Sequence, residues 1–112
     1  DAVCADDPAK AGAFNASERI RDPSHVAYRP EAELTGWFTD VGLPVQAVHH
    51  FGVPLNLEAM LARSFPDPGG ADRVRAAYAE ALPKDGFGIP MRNTDKGIHV
   101  EFPAVASLAA NR

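Results

Sequence analysis

The sequence has little cysteine, no cluster of positive charge and no long apolar run. Its 112 residues contain a single cysteine, Cys4, which cannot form an internal disulfide and has no second cysteine with which to bind a metal. Lys+Arg number 11 against 15 Asp+Glu, so the net charge is -4 and there is no basic patch of the kind that binds nucleic acid phosphates. No apolar run approaches the roughly 20 residues that cross a bilayer. We therefore expect neither nucleic acid nor a membrane as a partner.

The start of the chain bears on where the protein works. No charged segment followed by an apolar stretch indicates a signal peptide, and a lone cysteine fits a reducing compartment, so a cytoplasmic location is expected. Cys4 is expected to be a small buried residue near the end of a strand. The chain opens on Asp1 rather than on methionine, from which we expect a truncated or processed product.

The composition is typical of one globular domain, because 46% of the residues are apolar and no repeat or linker divides the chain. Four helices are predicted from apolar residues at helical spacing and from their end signals. They cover residues 9–20, 30–41, 57–65 and 71–82. In the third helix, Asn56 is the predicted cap. One face of that helix is predicted to hold Leu57, Met60, Leu61 and Phe65.

The second helix has the clearest signals. Pro30 suits its first position, and Gly42 can supply the left-handed residue that ends it. Its apolar stripe consists of Leu34, Trp37, Phe38 and Val41. At this spacing Trp37 and Phe38 are expected to belong to the core, and the alternative is that they line an aromatic substrate pocket.

Alternation of apolar and polar residues predicts the strands. Residues 1–5 are expected to be the end of a strand, and residues 45–53 a half-buried strand. Residues 88–102 are predicted to form a hairpin with its turn at 93–97, and a last short strand is predicted over 104–109.

Two adjacent histidines lie in the strand predicted over residues 45–53. His49 and His50 should point to opposite faces of the sheet, so a shared metal site is not expected. A site that also used His99 would require distant parts of the chain to meet. The sequence therefore predicts no metal ligands.

Residues 21–43 carry the most informative pattern. Arg-Asp-Pro-Ser-His-Val begins at Arg21 and is followed by Tyr28, by Pro-Glu-Ala-Glu-Leu from Pro30, and by Val-Gly-Leu from Val41. This segment resembles the one that follows the central strands in class I S-adenosylmethionine-dependent methyltransferases of the small-molecule branch. Arg29 departs from that pattern, because it stands where the branch often has a serine or threonine as helix cap.

The resemblance implies a fold. It is that of the C-terminal part of a Rossmann-like α/β methyltransferase fold, which seen alone would be α+β, with helices packed on a small antiparallel sheet. Residues 1–112 would form a single incomplete domain, the substrate-side part, without the donor-binding half. We expect the surfaces left uncovered in this way to drive self-association, by strand pairing across a dimer.

The resemblance also implies a reaction. The family takes a methyl group from S-adenosylmethionine, which it holds with a glycine-rich loop after its first strand. Neither Gly69-Gly70 nor Gly86 and Gly88 lie between a strand and a helix in the predicted order, so no cofactor is expected to bind this chain alone. We expect the substrate-side part of an enzyme that methylates an unidentified small-molecule acceptor and is inactive alone. The alternative is a stand-alone, non-enzymatic α+β module that binds an apolar ligand.

The candidate site residues lie in the loop after the first helix, which the resemblance places at the carboxyl edge of the sheet, where open α/β folds bind ligands. The residues expected to contact substrate are Asp22, Ser24, His25 and Tyr28. His25 is the candidate catalytic residue, which would accept or position a substrate proton. The alternative is a turn in which Asp22 and Ser24 satisfy local backbone amides while His25 packs at the surface.

Overall fold

The computed structural model describes residues 2–110, and within that range the chain forms four α-helices and three strands. The helices are α1 (Pro8–Arg21), α2 (Glu31–Asp40), α3 (Leu57–Ala62) and α4 (Gly70–Ala81), the last continued by a 3-10 turn (Leu82–Lys84). The strands are β1 (Val45–Asn56), β2 (Met91–Thr94) and β3 (Gly97–Ala109). None of the helices within residues 2–110 has the length and apolar character needed to cross a membrane.

The strands form one antiparallel sheet in the order β1-β3-β2, with β3 in the centre. On the β2 side, Ala2 forms a bridge with Ala104, and the Val3 amide donates to the Pro103 carbonyl at 2.9 Å. The predicted strand end at residues 1–5 is thus a short pairing at Ala2 and Val3, and Asp1 lies outside the described residues. The expected architecture, α+β with helices on a small antiparallel sheet, is confirmed.

The predicted hairpin is formed by β2 and β3, with two residues between Thr94 and Gly97. Its first arm is shorter than predicted, because β2 begins only at Met91. β3 is longer than predicted, since it continues without a break to Ala109. The prediction of a separate last strand over 104–109 is therefore wrong.

Pro103 is tolerated inside the central strand because of the direction in which its backbone points. In an antiparallel ladder, the N–H and C=O of one residue bond to the same neighbouring strand. The Pro103 carbonyl accepts from Val3, so the N–H that proline lacks would also have faced Val3 rather than β1. No bond between β3 and β1 is lost, and the strand continues.

α1 begins at Pro8, one residue before the prediction, because Asp7 caps it. One Asp7 carboxylate oxygen accepts from the amides of Ala9 at 2.9 Å and Lys10 at 3.4 Å, which satisfies two of the helix's unpaired donors. α1 ends at Arg21, before Asp22-Pro23, as the proline predicts. The predicted stop of α2 is confirmed as well, since Gly42 has a φ of 79°.

α3 confirms its predicted cap but is shorter than predicted. The Asn56 side-chain oxygen accepts from the Ala59 amide at 3.0 Å. Leu57, Met60 and Leu61 are buried as predicted. Phe65 is 90% exposed, so its assignment to the same face is wrong. The helix ends at Ala62, which leaves Phe65 outside the helical register.

One face of the sheet carries the core, and we call this region the packed end: α1, α3, α4 and residues 97–102 of β3. Val100 and Phe102 of β3 are buried there with residues of the three helices. Phe14 of α1 is fully buried, and its ring centroid lies 5.2 Å from that of Phe102 and 5.4 Å from that of Tyr28. Cys4 is buried in the same cluster, as predicted.

The opposite end of the molecule, which we call the open end, consists of α2 and residues 45–51 of β1. α2 has no buried residue, and residues 46–51 are all exposed. The molecule measures 49 × 26 × 25 Å with a radius of gyration of 15.4 Å, whereas a compact domain of this length has about 13 Å. The prediction of a half-buried β1 is therefore wrong for its first half, because the core helices cover the sheet only near Leu55 and Val100.

Candidate functional site

Asp22 and Ser24 form a local turn directly after α1. One Asp22 carboxylate oxygen accepts from the Ser24 hydroxyl at 2.7 Å and from the Ser24 amide at 3.0 Å. These hydrogen bonds, the hydroxyl first, lower the pKa of Asp22. The Asp22 carbonyl accepts from the His25 amide at 2.9 Å. Asp22 therefore satisfies a local backbone amide, as the alternative interpretation expects, whereas the Ser24 hydroxyl bonds to Asp22 rather than to an amide. Substrate binding by these two side chains stays a prediction.

His25 is oriented by α1. Its Nε2 lies 3.0 Å from the side-chain oxygen of Asn15, and its ring centroid lies 4.5 Å from that of Tyr28 in an edge contact. An amide oxygen only accepts, so Nε2 carries the proton and Nδ1 holds the free lone pair of the neutral ring. Burial lowers the pKa of His25, which favours the neutral form of the ring. The structure therefore presents an oriented imidazole.

Asn15 ties the loop to the helix through more than the histidine. Its side-chain oxygen also accepts from the Tyr28 amide at 2.7 Å, and its Nδ2 donates to the Tyr28 carbonyl at 3.2 Å. Asn15 is itself buried. One α1 side chain thus fixes both His25 and the backbone of Tyr28, the two predicted site residues that the structure brings together.

The centre of this region is a residue that sequence reasoning missed. Glu18 of α1 is fully buried, and its two carboxylate oxygens accept from Arg21 Nε at 2.7 Å and Nη2 at 2.8 Å. The Tyr28 hydroxyl donates to the same carboxylate at 3.0 Å. The first and last residues of the Arg21–Tyr28 pattern therefore both hold Glu18. In the sequence Glu18 interrupts the apolar face of α1, and its spacing three residues before Arg21 is the signal that could have revealed it.

The surroundings of Glu18 extend this polar cluster. The hydrogen bond to Glu18 raises the pKa of Arg21, and Arg21 also donates from Nη1 to the Ser64 hydroxyl at 3.0 Å. Burial, followed by the nearby Glu18 charge, raises the pKa of Tyr28 to about 12. Within the described part of the chain, the buried hydroxyls of Ser17 and Tyr78 have no hydrogen-bond partner. Burial raises the pKa of Tyr78 too.

The apolar stripe of α2 faces an open groove rather than the core. Trp37 keeps 50% of its surface exposed and Phe38 keeps 40%. The groove measures about 620 Å³ and is lined by Leu34, Trp37, Phe38, Val41, Val105, Ala106 and Ser107. The prediction that the two aromatic residues belong to the core is therefore wrong, because α2 lies over an end of the sheet where the described residues supply no further layer.

A smaller depression connects the groove to the loop. It measures about 360 Å³ and is lined by Ala2, Val26, Ala27, Tyr28, Arg29, Leu34 and Trp37. Trp37 lines both hollows, and the Arg29 guanidinium lies 5.9 Å from its ring centroid. Tyr28 is therefore a predicted site residue that borders this depression.

The adjacent histidines are separated as predicted. His49 stacks on Phe51 with ring centroids 5.8 Å apart, whereas the His50 Nε2 lies 2.8 Å from a Glu31 carboxylate oxygen of α2. The two rings thus lie on opposite faces of the sheet. Among residues 2–110, no group of three or more histidine, cysteine or acidic side chains is placed to hold a metal ion.

Two solved structures share this fold over nearly the whole chain. The YcgJ protein from Bacillus subtilis matches 100% of this chain and 49% of its own, with a TM-score of 0.83 at 17% identity. The "putative methyltransferase" BH2331 from Bacillus halodurans C-125 matches 97% of this chain and 52% of its own, with a TM-score of 0.82 at 14% identity. No family model and no curated protein matches the sequence. The chain therefore spans about half the length of these structures and has their fold there, which confirms the predicted methyltransferase-like architecture.

Proposed function

We propose that this chain is the substrate-side part of an S-adenosylmethionine-dependent methyltransferase that acts on a small acceptor with an apolar body. The observation that supports this most is the fold, shared with half of BH2331 and half of YcgJ. The pattern from Arg21 to Tyr28 supports it independently. The alternative, a stand-alone module that binds an apolar ligand, is not favoured by these matches.

The glycine pairs of the described residues bear on where the methyl donor would bind. Gly69 and Gly70 lead into α4, but they follow a loop that comes after α3, rather than a strand. Gly86 and Gly88 follow the 3-10 turn and lead towards β2. Neither pair has the strand-to-helix setting in which glycines cradle a cofactor. We infer that donor binding requires residues other than 2–110, and that these residues alone transfer no methyl group.

The groove beside α2 is the proposed acceptor site. Its volume of about 620 Å³ lies within the range of about 300–1,000 Å³ typical of small-molecule sites. Its side chains are apolar apart from Ser107, which favours an uncharged ring or chain over a sugar or a phosphate. An acceptor there would contact Trp37 and extend along the adjoining depression towards Tyr28.

His25 is the proposed proton acceptor for substrates whose nucleophile loses a proton. Its Nδ1 would take the proton while Nε2–H stays bonded to Asn15. Tyr28 is unsuited to that role, because its hydroxyl donates to Glu18 and its pKa is raised to about 12. Tyr28 would instead line the depression beside the groove and hold the His25 ring in place through their edge contact.

The coding region upstream of Asp1 provides the test. We expect it to encode, in frame, a strand followed by a glycine-rich loop, and the protein translated from there to transfer labelled methyl groups to apolar small molecules. In that protein His25→Gln should lower kcat by about 100-fold for acceptors that lose a proton, while Trp37→Ala should mainly raise KM. An upstream region without such a loop, or a His25→Gln variant of full activity, would contradict the proposal.

A further inference from the structure

β1 is an edge strand that carries no charged side chain. Among residues 2–110 it pairs with β3 alone, on one side. Its twelve residues, Val45–Asn56, include no Lys, Arg, Asp or Glu, although charged side chains are the common device by which natural edge strands avoid pairing with another chain. Three of its apolar residues are at least 37% exposed: Val48, Phe51 and Val53.

The ladder shows which backbone groups face outward from this edge. The Pro103 carbonyl points to Val3, away from β1, so its partner Gly52 makes no hydrogen bonds to β3. Because bonded and unbonded positions alternate along an antiparallel strand, Val48 and His50 also direct their N–H and C=O to the outer edge. Their neighbours His49 and Phe51 are the ones that bond to β3.

The outward-facing segment is symmetric about His50. Pro54, four residues after His50, limits the segment at its C-terminal end, because proline has no N–H to donate. Gln46, four residues before His50, limits it at its N-terminal end, because the pairing with β3 shifts register between Val45 and Ala47. A two-fold axis at His50 would place Pro54 of each copy opposite Gln46 of the other. The regular stretch between them pairs Val48 with Gly52 of the second copy, and His50 with its own equivalent.

The side chains fit this arrangement on both faces. On one face, the stacked His49 and Phe51 of each copy meet the same pair of the other copy, since His49 lies opposite Phe51 across such an axis. Aromatic pairs across strands stabilise a sheet. On the other face, each His50 keeps its own Glu31 at 2.8 Å, and Val48 lies opposite Gly52, over which the Glu101 side chain extends. Within β1 itself no side chain carries a fixed charge.

We propose that two copies of this chain pair antiparallel through β1, about a two-fold axis at His50, and so form one continuous six-stranded sheet. The second copy is the occupant that this edge fits, because its uncharged, symmetric segment complements itself. The inference uses a different surface from the acceptor groove and does not depend on the methyl-transfer proposal.

Light scattering after size exclusion tests the dimer. Wild-type protein should have about twice the monomer mass of 11.9 kDa. Val48→Pro removes one outward N–H and places a ring at the edge without touching the ladder to β3, so it should yield a monomer. Val41→Lys is the control, because Val41 is an exposed apolar residue that directly follows α2 and lies outside β1, and this variant should stay dimeric. A monomeric wild type overturns the proposal, and so does a dimer that Val41→Lys breaks and Val48→Pro does not.

Cysteine cross-linking tests the register. Residues at a hydrogen-bonded pair have Cα atoms about 5.5 Å apart, which lies within the range that a disulfide bridges. His50→Cys should therefore form an intermolecular disulfide under mild oxidation. Val48→Cys should not, because the two copies of residue 48 would be about 14 Å apart, and wild-type protein controls for Cys4. Cross-linking of Val48→Cys, or none for His50→Cys, would overturn the axis at His50.

Discussion

Phe14, at the packed end, is fully buried, whereas Trp37, at the open end, keeps half of its surface exposed. Both lie on helices that carry an apolar face. Carboxylates show the same difference, since Glu18 is held inside the packed end while Glu31 of α2 pairs with a largely exposed His50. The comparison shows that an apolar stripe becomes a core only where the fold supplies a second layer above it.

The largest expected effect contrasts the two aromatic residues. Phe14→Ala should lower the free energy of unfolding by about 3–5 kcal/mol, because it leaves a cavity among Tyr28, Phe87 and Phe102. Trp37→Ala should lower it by about 0.5 kcal/mol, as for other surface positions. Urea unfolding of both variants gives the comparison. If the two variants lost the same free energy of unfolding, Trp37 would have to be packed in a core, contrary to its exposure in the structure.

The second comparison contrasts two carboxylates. Glu18→Ala should cost about 3 kcal/mol, because it leaves Arg21 and the Tyr28 hydroxyl without their buried partner. Glu80→Ala is the matched control, since Glu80 pairs with Lys84 at 3.2 Å on the surface of α4 and such pairs contribute little. Denaturant midpoints that move by the same amount in both variants would show that the Glu18 cluster does not stabilise the packed end.

Loss of the hydroxyl should have opposite effects at Tyr28, in the loop after α1, and at Tyr78, in α4. Tyr28→Phe removes a hydrogen bond to a buried carboxylate and should cost about 1.5 kcal/mol. Tyr78→Phe removes a buried hydroxyl that has no partner among residues 2–110, so it should be neutral or stabilising. Thermal unfolding of the two variants measures both changes in stability. A clear loss of stability in Tyr78→Phe would reveal a partner for that hydroxyl.

The same tyrosine gives an alkaline pH dependence. The pKa of Tyr28 is raised to about 12 in the folded protein, against about 10 in an unfolded chain. The unfolded state therefore loses this proton first, and stability should fall as pH rises from about 10 to about 12. Tyr28→Phe should show a shallower fall over that window. An unchanged slope would contradict the burial of Tyr28 beside Glu18.

The smallest expected effect concerns His25, at the border of the packed end. Burial lowers its pKa below the ordinary value of about 6.5. The unfolded state then binds the proton more readily, so this group contributes stability at neutral pH that is lost as pH falls below about 6.5. Histidine ring shifts measured by NMR against pH should place His25 lower than an unfolded reference. An equal or higher pKa would mean that the ring is solvated and not fixed by Asn15.

Local signals in the sequence predicted the parts of the fold that short-range physics determines. The Asn56 cap, the Gly42 stop and the end of α1 before Pro23 each depend on residues within one turn, and each is confirmed. Pro103 misled the prediction because its effect depends on which strand lies beside it. That neighbour, Val3, comes from the other end of the chain.

The candidate site was harder to predict for the same reason. The pattern from Arg21 to Tyr28 was identified correctly as informative, yet its meaning required Glu18 and Asn15, two α1 residues that look like breaks in an apolar face. Both bond to Tyr28, which lies 10 residues after Glu18 and 13 residues after Asn15 in the sequence. The role of His25 in binding substrate stays a prediction, whereas its orientation by Asn15 is a property of the structure.

Calorimetric titration of S-adenosylmethionine into the 112-residue chain tests the central claim most directly. The described residues contain no glycine-rich turn between a strand and a helix, so we expect no heat of binding. A dissociation constant in the micromolar range would contradict it, because the chain would then hold a donor site of its own.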